Sequence, residues 1–359
     1  MYILLYLKAP QFLKVGETKM TGSAGQKRVP KDFFAGNPLP LPPLEEQHRI
    51  VAKVDELMAL CDQIEQQTEA SLSAHTTLVE NLLATLTTSA NAEELKQNWQ
   101  RIASHFTTLF TTEACIDILE RNILELAGSG KFSSTAPHSI NNKVSLLREA
   151  SEDKVSLLEK GHVRVESIKP IDIPVPYSSI PEGWVLCQLN DVTCCLDHRR
   201  KPIKKSDRSE GQVPYYGANG PVGFIGEHLF DEELVLVVED ETFIGRTKPF
   251  SYRISGPSWV NNHAHVLKCT SVILPDFLNI LLSYYPFIPL TSGTTGRKKL
   301  TKNTLLQIPI IVPSVDEQRF IIEKVQSLMA ICNQIKAHLQ HKQQTHLHLA
   351  DALVENALA

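Results

Sequence analysis

PPLEEQHRIVAKVDELMALCDQI, residues 42–64, returns as PSVDEQRFIIEKVQSLMAICNQI, residues 313–335, with twelve of twenty-three positions identical at a constant offset of 271. The identities include Pro42/Pro313, Glu46/Glu317 and Gln47/Gln318. In each copy the apolar positions alternate spacings of four and three: Ile50, Val54, Leu57, Cys61 and Ile64, then Ile321, Val325, Leu328, Cys332 and Ile335. That period is the seam of a coiled coil rather than the wider stripe of a helix on a globular core. Two long helices with matching seams are expected to pack on each other, and Ser314 with Glu317 supplies a capping box where the second begins. The likeness extends outward. Gly22 and Gly25 fall on Gly293 and Gly296, Lys31 on Lys302 and Pro38 on Pro309, and Leu78-Val79-Glu80-Asn81 recurs as Leu353-Val354-Glu355-Asn356 after four extra residues. Two copies so far apart are not a solenoid; they flank an inserted unit.

The rest of the chain divides around these copies. Residues 1–41 align with the closing part of the inserted unit and are too few to bury a core; a short amphipathic helix over 3–13 and an extended Pro-rich strand over 37–43 are expected. Residues 42–168 read as helical. The first long helix breaks at Thr87-Thr88-Ser89, and Asn91 with Glu94 starts another that carries Leu95, Trp99, Ile102, Phe106 and Leu109 on one face. A third stretch carries Ile116, Leu119, Ile123 and Leu126 and ends at Gly128-Ser129-Gly130. Residues 133–142 read as a loop, 144–159 as a helix stopped at Gly161, and 169–181, with four prolines, as an extended linker. From there to residue 312 the texture changes. Runs at 184–189, 234–238, 250–254 and 260–268 are β-branched and aromatic and bounded by Gly, Pro and Asn, with one helix at 275–285. The fold class is α+β, with one compact domain between long helices.

At 359 residues the chain has room for about two domains. It contains no apolar run of membrane-spanning length, and its first residues lack the basic leader and small-residue cleavage site of a signal peptide, so a cytoplasmic protein is expected. Seven cysteines without a CxxC spacing read as reduced, mostly buried thiols. The net charge of −4 is unevenly spread: residues 44–128 hold 5 Lys/Arg against 14 Asp/Glu, residues 181–312 hold 14 against 13, and residues 1–43 hold 6 against 2. Acid sits on the helices, which leaves the inserted domain free to carry basic faces.

Several motifs suggest chemistry that their spacing does not sustain. Gly128-Ser129-Gly130-Lys131 resembles the end of a phosphate loop, but Phe132 stands where a magnesium-binding hydroxyl belongs and Glu125 where the first glycine belongs, so it reads as a helix cap. Glu239-Asp240-Glu241 closes an apolar strand, as catalytic carboxylates often do, yet a solvated turn or a pair with Arg246 is the simpler reading. His263 and His265 alternate on an expected strand and face one side, without a third zinc ligand. The basic clusters are more informative. His198 to Arg208 concentrates six cations, and Gly293-Thr294-Thr295-Gly296-Arg297-Lys298-Lys299 adds three beside flexible backbone. Cations, hydroxyls and exposed amides together are what phosphate contacts require. Tyr215-Tyr216-Gly217-Ala218-Asn219-Gly220 and Asn261-Asn262-His263 add aromatic and amide groups, and amides can read adenine edges.

These residues resemble the specificity subunit of type I restriction-modification enzymes. The resemblance rests on the Pro-x-x-x-Glu-Gln helix openings at Pro42 and Pro313, VPYYGANG at 213–220, LVLVVEDETFIGR at 234–246, WVNNHAHVLK at 259–268 and GTTGRKKL at 293–300. It implies two target recognition domains, each reading half of a split DNA site, joined by long helices that pair as an antiparallel coiled coil and hold two methyltransferase subunits. Residues 1–41 are then expected to be the C-terminal remnant of a first recognition domain, 42–168 the central helical region, 169–312 the second recognition domain and 313–359 the distal coiled-coil helix. The resemblance implies no catalytic residue, no metal and no cofactor in this chain. Methyl transfer with S-adenosylmethionine, and ATP- and Mg-dependent cleavage, fall to modification and restriction subunits. The expected DNA-binding set is Arg199, Arg200, Lys201, Lys204, Lys205, Arg208, Tyr215, Tyr216, Asn219, Asn261, Asn262, Arg297, Lys298 and Lys299; the expected coiled-coil interface is the ten seam residues from Ile50 to Ile64 and from Ile321 to Ile335. Two copies pairing through these helices as half-subunits would read an interrupted palindrome. The alternatives are a nuclease built on Glu239–Glu241, and a coiled-coil partner of the methyltransferase that binds no specific DNA.

Overall fold

A computed structural model describes the chain except residues 23–26, 91, 134–142, 162, 165–166, 242, 294–297 and 359. Two compact units are present, residues 1–77 and 78–359. In the first, α1 (Tyr2–Lys8) and α2 (Pro10–Lys19) replace the single expected helix, because Pro10 takes the first position of a new helix and Ala9 is extended. A third helix, α3 (Lys31–Gly36), was not anticipated. Phe12 touches the rings of Tyr6, Phe33 and Phe34, and the Tyr2 and Tyr6 hydroxyls donate to the Pro40 and Pro38 carbonyls at 2.8 and 2.7 Å. Among the described residues of this unit only Gly16 is buried, as expected of a segment too short for a core. The helix α4 (Leu44–Thr88) then starts with Glu45 and Glu46 in its first turn, where acid favours the helix dipole.

In the second unit α5 (Ala92–Ser104) and α6 (Phe106–Leu109) are separated at His105. Thr112 caps α7 (Glu113–Gly128) through the Cys115 amide. Gly130 adopts φ 77°, a conformation that L residues avoid, and a β-carbon there would collide with Pro181. The Lys131 amide donates to the Leu126 carbonyl at 2.9 Å and the Gly130 amide to that of Ala127 at 3.2 Å, so this glycine turn works as a helix cap, while Lys131 Nζ donates to the Ser89 carbonyl at 2.9 Å. After α8 (Lys143–Glu159) comes the domain at 181–312. Its first strand, β1 (Val185–Gln188), pairs antiparallel with its last, β12 (Pro309–Val312), so that the domain's ends leave side by side. Between them run α9 (Leu189–Val192), β2 (Thr193–Cys195), β3 (Val213–Gly217), β4 (Gly220–Ile225), β5 (Phe230–Asp231), β6 (Leu234–Val238), β7 (Asp240–Glu241), β8 (Ser251–Ile254), β9 (Pro257–Val260), β10 (Ala264–Cys269), α10 (Pro275–Ser283), β11 (Lys298–Lys299) and α11 (Lys302–Gln307). One sheet has the order β2-β10-β6-β8 and another β4-β3-β9-β5, while β11 pairs with β7. The run expected as one strand over 260–268 is split by the turn at Asn262 and His263, so His263 and His265 do not share a strand face.

The core of the second unit is continuous from helices to sheets, and the seam of α12 (Val315–Leu358) belongs to it. Ile321, Val325 and Cys332 are buried, with Leu328 and Ile335 partly so; α7 packs along this helix, and Lys336 bridges Asp117 at 2.6 Å and Glu120 at 2.8 Å. Within the first unit the matching seam on α4 is mixed: Ile50 and Val54 are half-buried, while Leu57 is 49% and Ile64 54% exposed. The expected capping box is half formed. The Glu317 amide donates to Ser314 Oγ at 3.4 Å, while the Glu317 carboxylate accepts from Trp184 Nε1 at 3.1 Å and from Ser133. Gln318, fully buried, accepts from the Leu274 amide and donates to the Val272 and Pro313 carbonyls. The Glu-Gln opening thus ties α12 to the sheet domain. No helix among the described residues is long and apolar enough to cross a membrane.

Candidate nucleic-acid interface

The loop after β2 opens with Asp197, which is where the basic cluster meets the core. Asp197 accepts from His265 Nδ1 at 2.6 Å and from the Val266 amide at 2.9 Å, and it bridges Arg200 at 3.1 Å. Arg200, whose side chain is only 12% exposed, also pairs with Glu239 and donates to the Ala264 carbonyl at 2.7 Å. Glu239 is bridged from its other side by Lys299 at 2.9 Å, and its carbonyl accepts from the Leu300 amide. The second nitrogen of His265 faces the Leu300 carbonyl at 2.9 Å. Both ring nitrogens of His265 therefore face oxygen atoms, of Asp197 and of Leu300. Burial pushes the Asp197 carboxyl up, but His265, Arg200 and the Val266 amide outweigh it and hold it below the ordinary range. Glu239 is lowered in the same way: burial opposes, and His265, Arg200 and Lys299 prevail.

Asp197, Glu239 and His265 offer ligand atoms within 4.8 Å of one another. A cation there would compete with Arg200 and Lys299, which already counter both carboxylates, so the cluster reads as a buried ion-pair network. Its effect is positional. It fastens the loop at 197–208 and the strand at 298–300 to the same two strands, β6 and β10.

The expected DNA-binding residues separate into two groups around this network. Arg200 is enclosed by its ion pairs, and Tyr215 is 2% exposed with its hydroxyl accepting from the Ile203 amide at 3.0 Å. Both side chains are held by contacts within the domain. Arg199 is turned inward too, pairing with Glu232 at 2.9 Å and lying 4.6 Å over the Phe230 ring. Asn261 is buried and accepts from the His263 amide at 2.8 Å, and Tyr216 is half-buried beside Tyr252. Arg208 lies 3.7 Å over the Tyr215 ring, a cation–π contact that fixes the tip of the loop. Lys201, Lys204, Lys205, Asn219 and Asn262 are exposed, as is Lys299 beyond its bridge; Lys298 is half-buried, and Arg297 lies outside the described residues. Arg246 donates to the Lys248 and Pro249 carbonyls.

The hairpin of β3 and β4 was missed. Gly217 and Gly220 of VPYYGANG close a two-strand pair whose edge, β4, exposes Val222 and Phe224. An exposed apolar residue on an edge strand leaves no signal in sequence that separates it from a core position. Trp259 Nε1 donates to the Lys201 carbonyl at 2.6 Å and ties this sheet to the basic loop. The loop with Lys201, Lys204 and Lys205 thus stands on a fixed base, next to the exposed hairpin.

Comparison with known proteins gives the setting for this geometry. The family described as type I restriction modification DNA specificity domain matches residues 1–74 and 181–343. The type I restriction enzyme EcoAI specificity subunit of Escherichia coli is 36% identical over 99% of this chain and 64% of its own length. The EcoEI specificity subunit of the same organism is 35% identical over the same shares. This chain therefore spans just under two thirds of the length of these relatives. A chain from a structure on complex assembly and conformational transition of the type I R-M system aligns over 99% of this chain and 70% of that one, with a TM-score of 0.47 and 16% identity.

Proposed function

The chain belongs to the type I restriction-modification DNA specificity family, and on that premise we propose that it is a non-catalytic DNA-recognition subunit that docks on duplex DNA through the domain at 181–312. The observation that carries the reading is the exposed trio Lys201, Lys204 and Lys205 on a loop whose root is clamped by Asp197, Arg200, Glu239 and His265. Cations on a preorganised loop lose little freedom on meeting phosphates, and they orient the domain without specifying sequence. Asn219 and Asn262, exposed in turns, are the amides in this domain suited to base edges. Arg199, Arg200 and Tyr215 shape the loop from behind. Methyltransferase and restriction subunits are the partners this reading assigns to the helices, and S-adenosylmethionine, ATP and Mg would be bound by those partners.

The test is titration of the full chain against a fluorescent duplex at several salt concentrations. The double variant Lys204→Ala/Lys205→Ala is expected to weaken binding about equally for unrelated sequences and to reduce the slope of log K against log salt by roughly 1 to 2. An unchanged slope would remove the loop from the interface. A chain that binds a type I methyltransferase but no duplex would favour the helical-partner alternative.

A further inference from the structure

The hairpin of β3 and β4 buries one face and bares the other. Val213, Tyr215 and Ile225 pack with Ile203 and Trp259, so one face of the ribbon lies on the root of the basic loop. The end of that loop presses on the same side. A β-carbon on Gly223 would stand 2.9 Å from Arg208 Nη1, and the Gly226 amide donates to Ser209 Oγ at 3.2 Å. Side chains alternate along a strand, so Val222 and Phe224, on either side of Gly223, point the other way, and they are 55% and 62% exposed. Edge strands are ordinarily blunted by charge or by proline. Here Pro221 removes a donor from the edge, which makes the backbone of β4 a poor template for another strand, while two large apolar side chains stay in water beside it. The face, not the edge, is what this ribbon offers.

We propose that the outer face of the hairpin enters the major groove of duplex DNA and that Phe224, with Val222 beside it, reads the C5-methyl group of thymine. The inference rests on the DNA-recognition reading of the domain and adds to it a residue that tells one base from another. The major groove, about 12 Å wide, admits a two-stranded ribbon, whereas the minor groove, about 6 Å wide, does not. A ribbon seated there turns one face to the base edges and the other to its own protein, which is the division between Val222 and Phe224 on one side and Tyr215 and Ile225 on the other. Charge agrees with this occupant. Lys201, Lys204 and Lys205 are exposed on the loop that backs the ribbon, and their sign is the one that the phosphates flanking the groove require. Of the groups that bases present in the major groove, the thymine methyl is the apolar one, and a hydrocarbon side chain is its complement.

The full chain is mixed with a pool of random-sequence duplexes and the bound fraction is sequenced. An enriched duplex is then made in two forms, one with thymine and one with uracil in its place, which lacks only the methyl group. In fluorescence-anisotropy titrations the wild-type chain is expected to bind the thymine form about fourfold tighter for each methyl contacted, as burial of one carbon implies. Phe224→Ala should bind both forms equally with an unchanged slope of log K against log salt, and Phe224→Leu should keep the preference. Neither should shift the circular-dichroism melt, because the side chain is on the surface. Duplex binding without enrichment, equal binding of the two forms by the wild-type chain, or a preference that survives in Phe224→Ala overturns this inference and leaves DNA docking by the domain standing. Absence of any duplex binding overturns both.

Discussion

Arg200 is the residue on which the loop and the strands agree. Removing one member of a buried ion pair leaves the other charge without its counter-ion, at a cost of about 3 kcal/mol or more. Arg200→Met is therefore expected to lower urea stability by that amount, whereas Lys204→Ala, at an exposed position, should change it by less than about 0.5 kcal/mol. An Arg200 variant with wild-type stability would show that the network is not structural. The same group of charges sets an acid limit. Asp197 and Glu239 have carboxyl pKa values lowered by folding, so their stabilising contribution is complete above the ordinary carboxylate range of about 4 and is lost as pH falls through the lowered folded values. The melting temperature should hold down to about pH 5 and then drop, and Asp197→Asn/Glu239→Gln should melt lower at pH 7 with a shallower acid limb; the same limb in both proteins would contradict this. The sequence made the cations visible as a cluster but not their counter-ions. Glu232 lies 33 residues from Arg199 and Glu239 39 from Arg200, and only the strand order β10-β6 brings such partners to one loop.

At the level of elements, one seam recurs on two helices. The period of four and three was legible in both copies, and it placed α4 and α12 within a few residues of their observed starts. What covers a seam was not legible, because α7 announces itself only as an amphipathic stretch and nothing in the pattern names its mate. Truncating Ile321 to Ala should cost about 2 to 4 kcal/mol in urea unfolding, since it removes a fully buried side chain. Ile50→Ala, in the same register on a half-exposed position, should cost under about 1 kcal/mol. Costs that match would contradict the difference in burial between the two positions. Thiols report the same asymmetry. Of the seven cysteines Cys61 is the exposed one, while burial raises the Cys332 thiol to about 11. Reaction of the native chain with a thiol reagent should show one fast equivalent, and Cys61→Ser should remove it.

Over the whole molecule, charge is unevenly divided, with acid concentrated on the helices of residues 44–128 and a cluster of cations on the loop at 199–208 of the sheet domain. The division explains how a chain of net charge −4 can present a basic face at all. The change of texture and the repeat mark out residues 181–312 in the sequence, and the strands β1 and β12 pair near those positions. The hairpin of β3 and β4 and the split between β9 and β10 could not be read there, because short strands joined by Gly- and Asn-rich turns read the same as loops until their partners are known. The pairing of β1 with β12 has a mechanical consequence. The chain enters at Val185 and leaves at Val312, which are directly opposite in the ladder. Tension applied through the flanking helices would pull across the strands at that open end, so the hydrogen bonds would break in succession, as a zipper opens, instead of resisting together in shear. Force spectroscopy with handles on those helices should find the domain opening first at this ribbon, at low load, before the buried strands β6 and β10 give way.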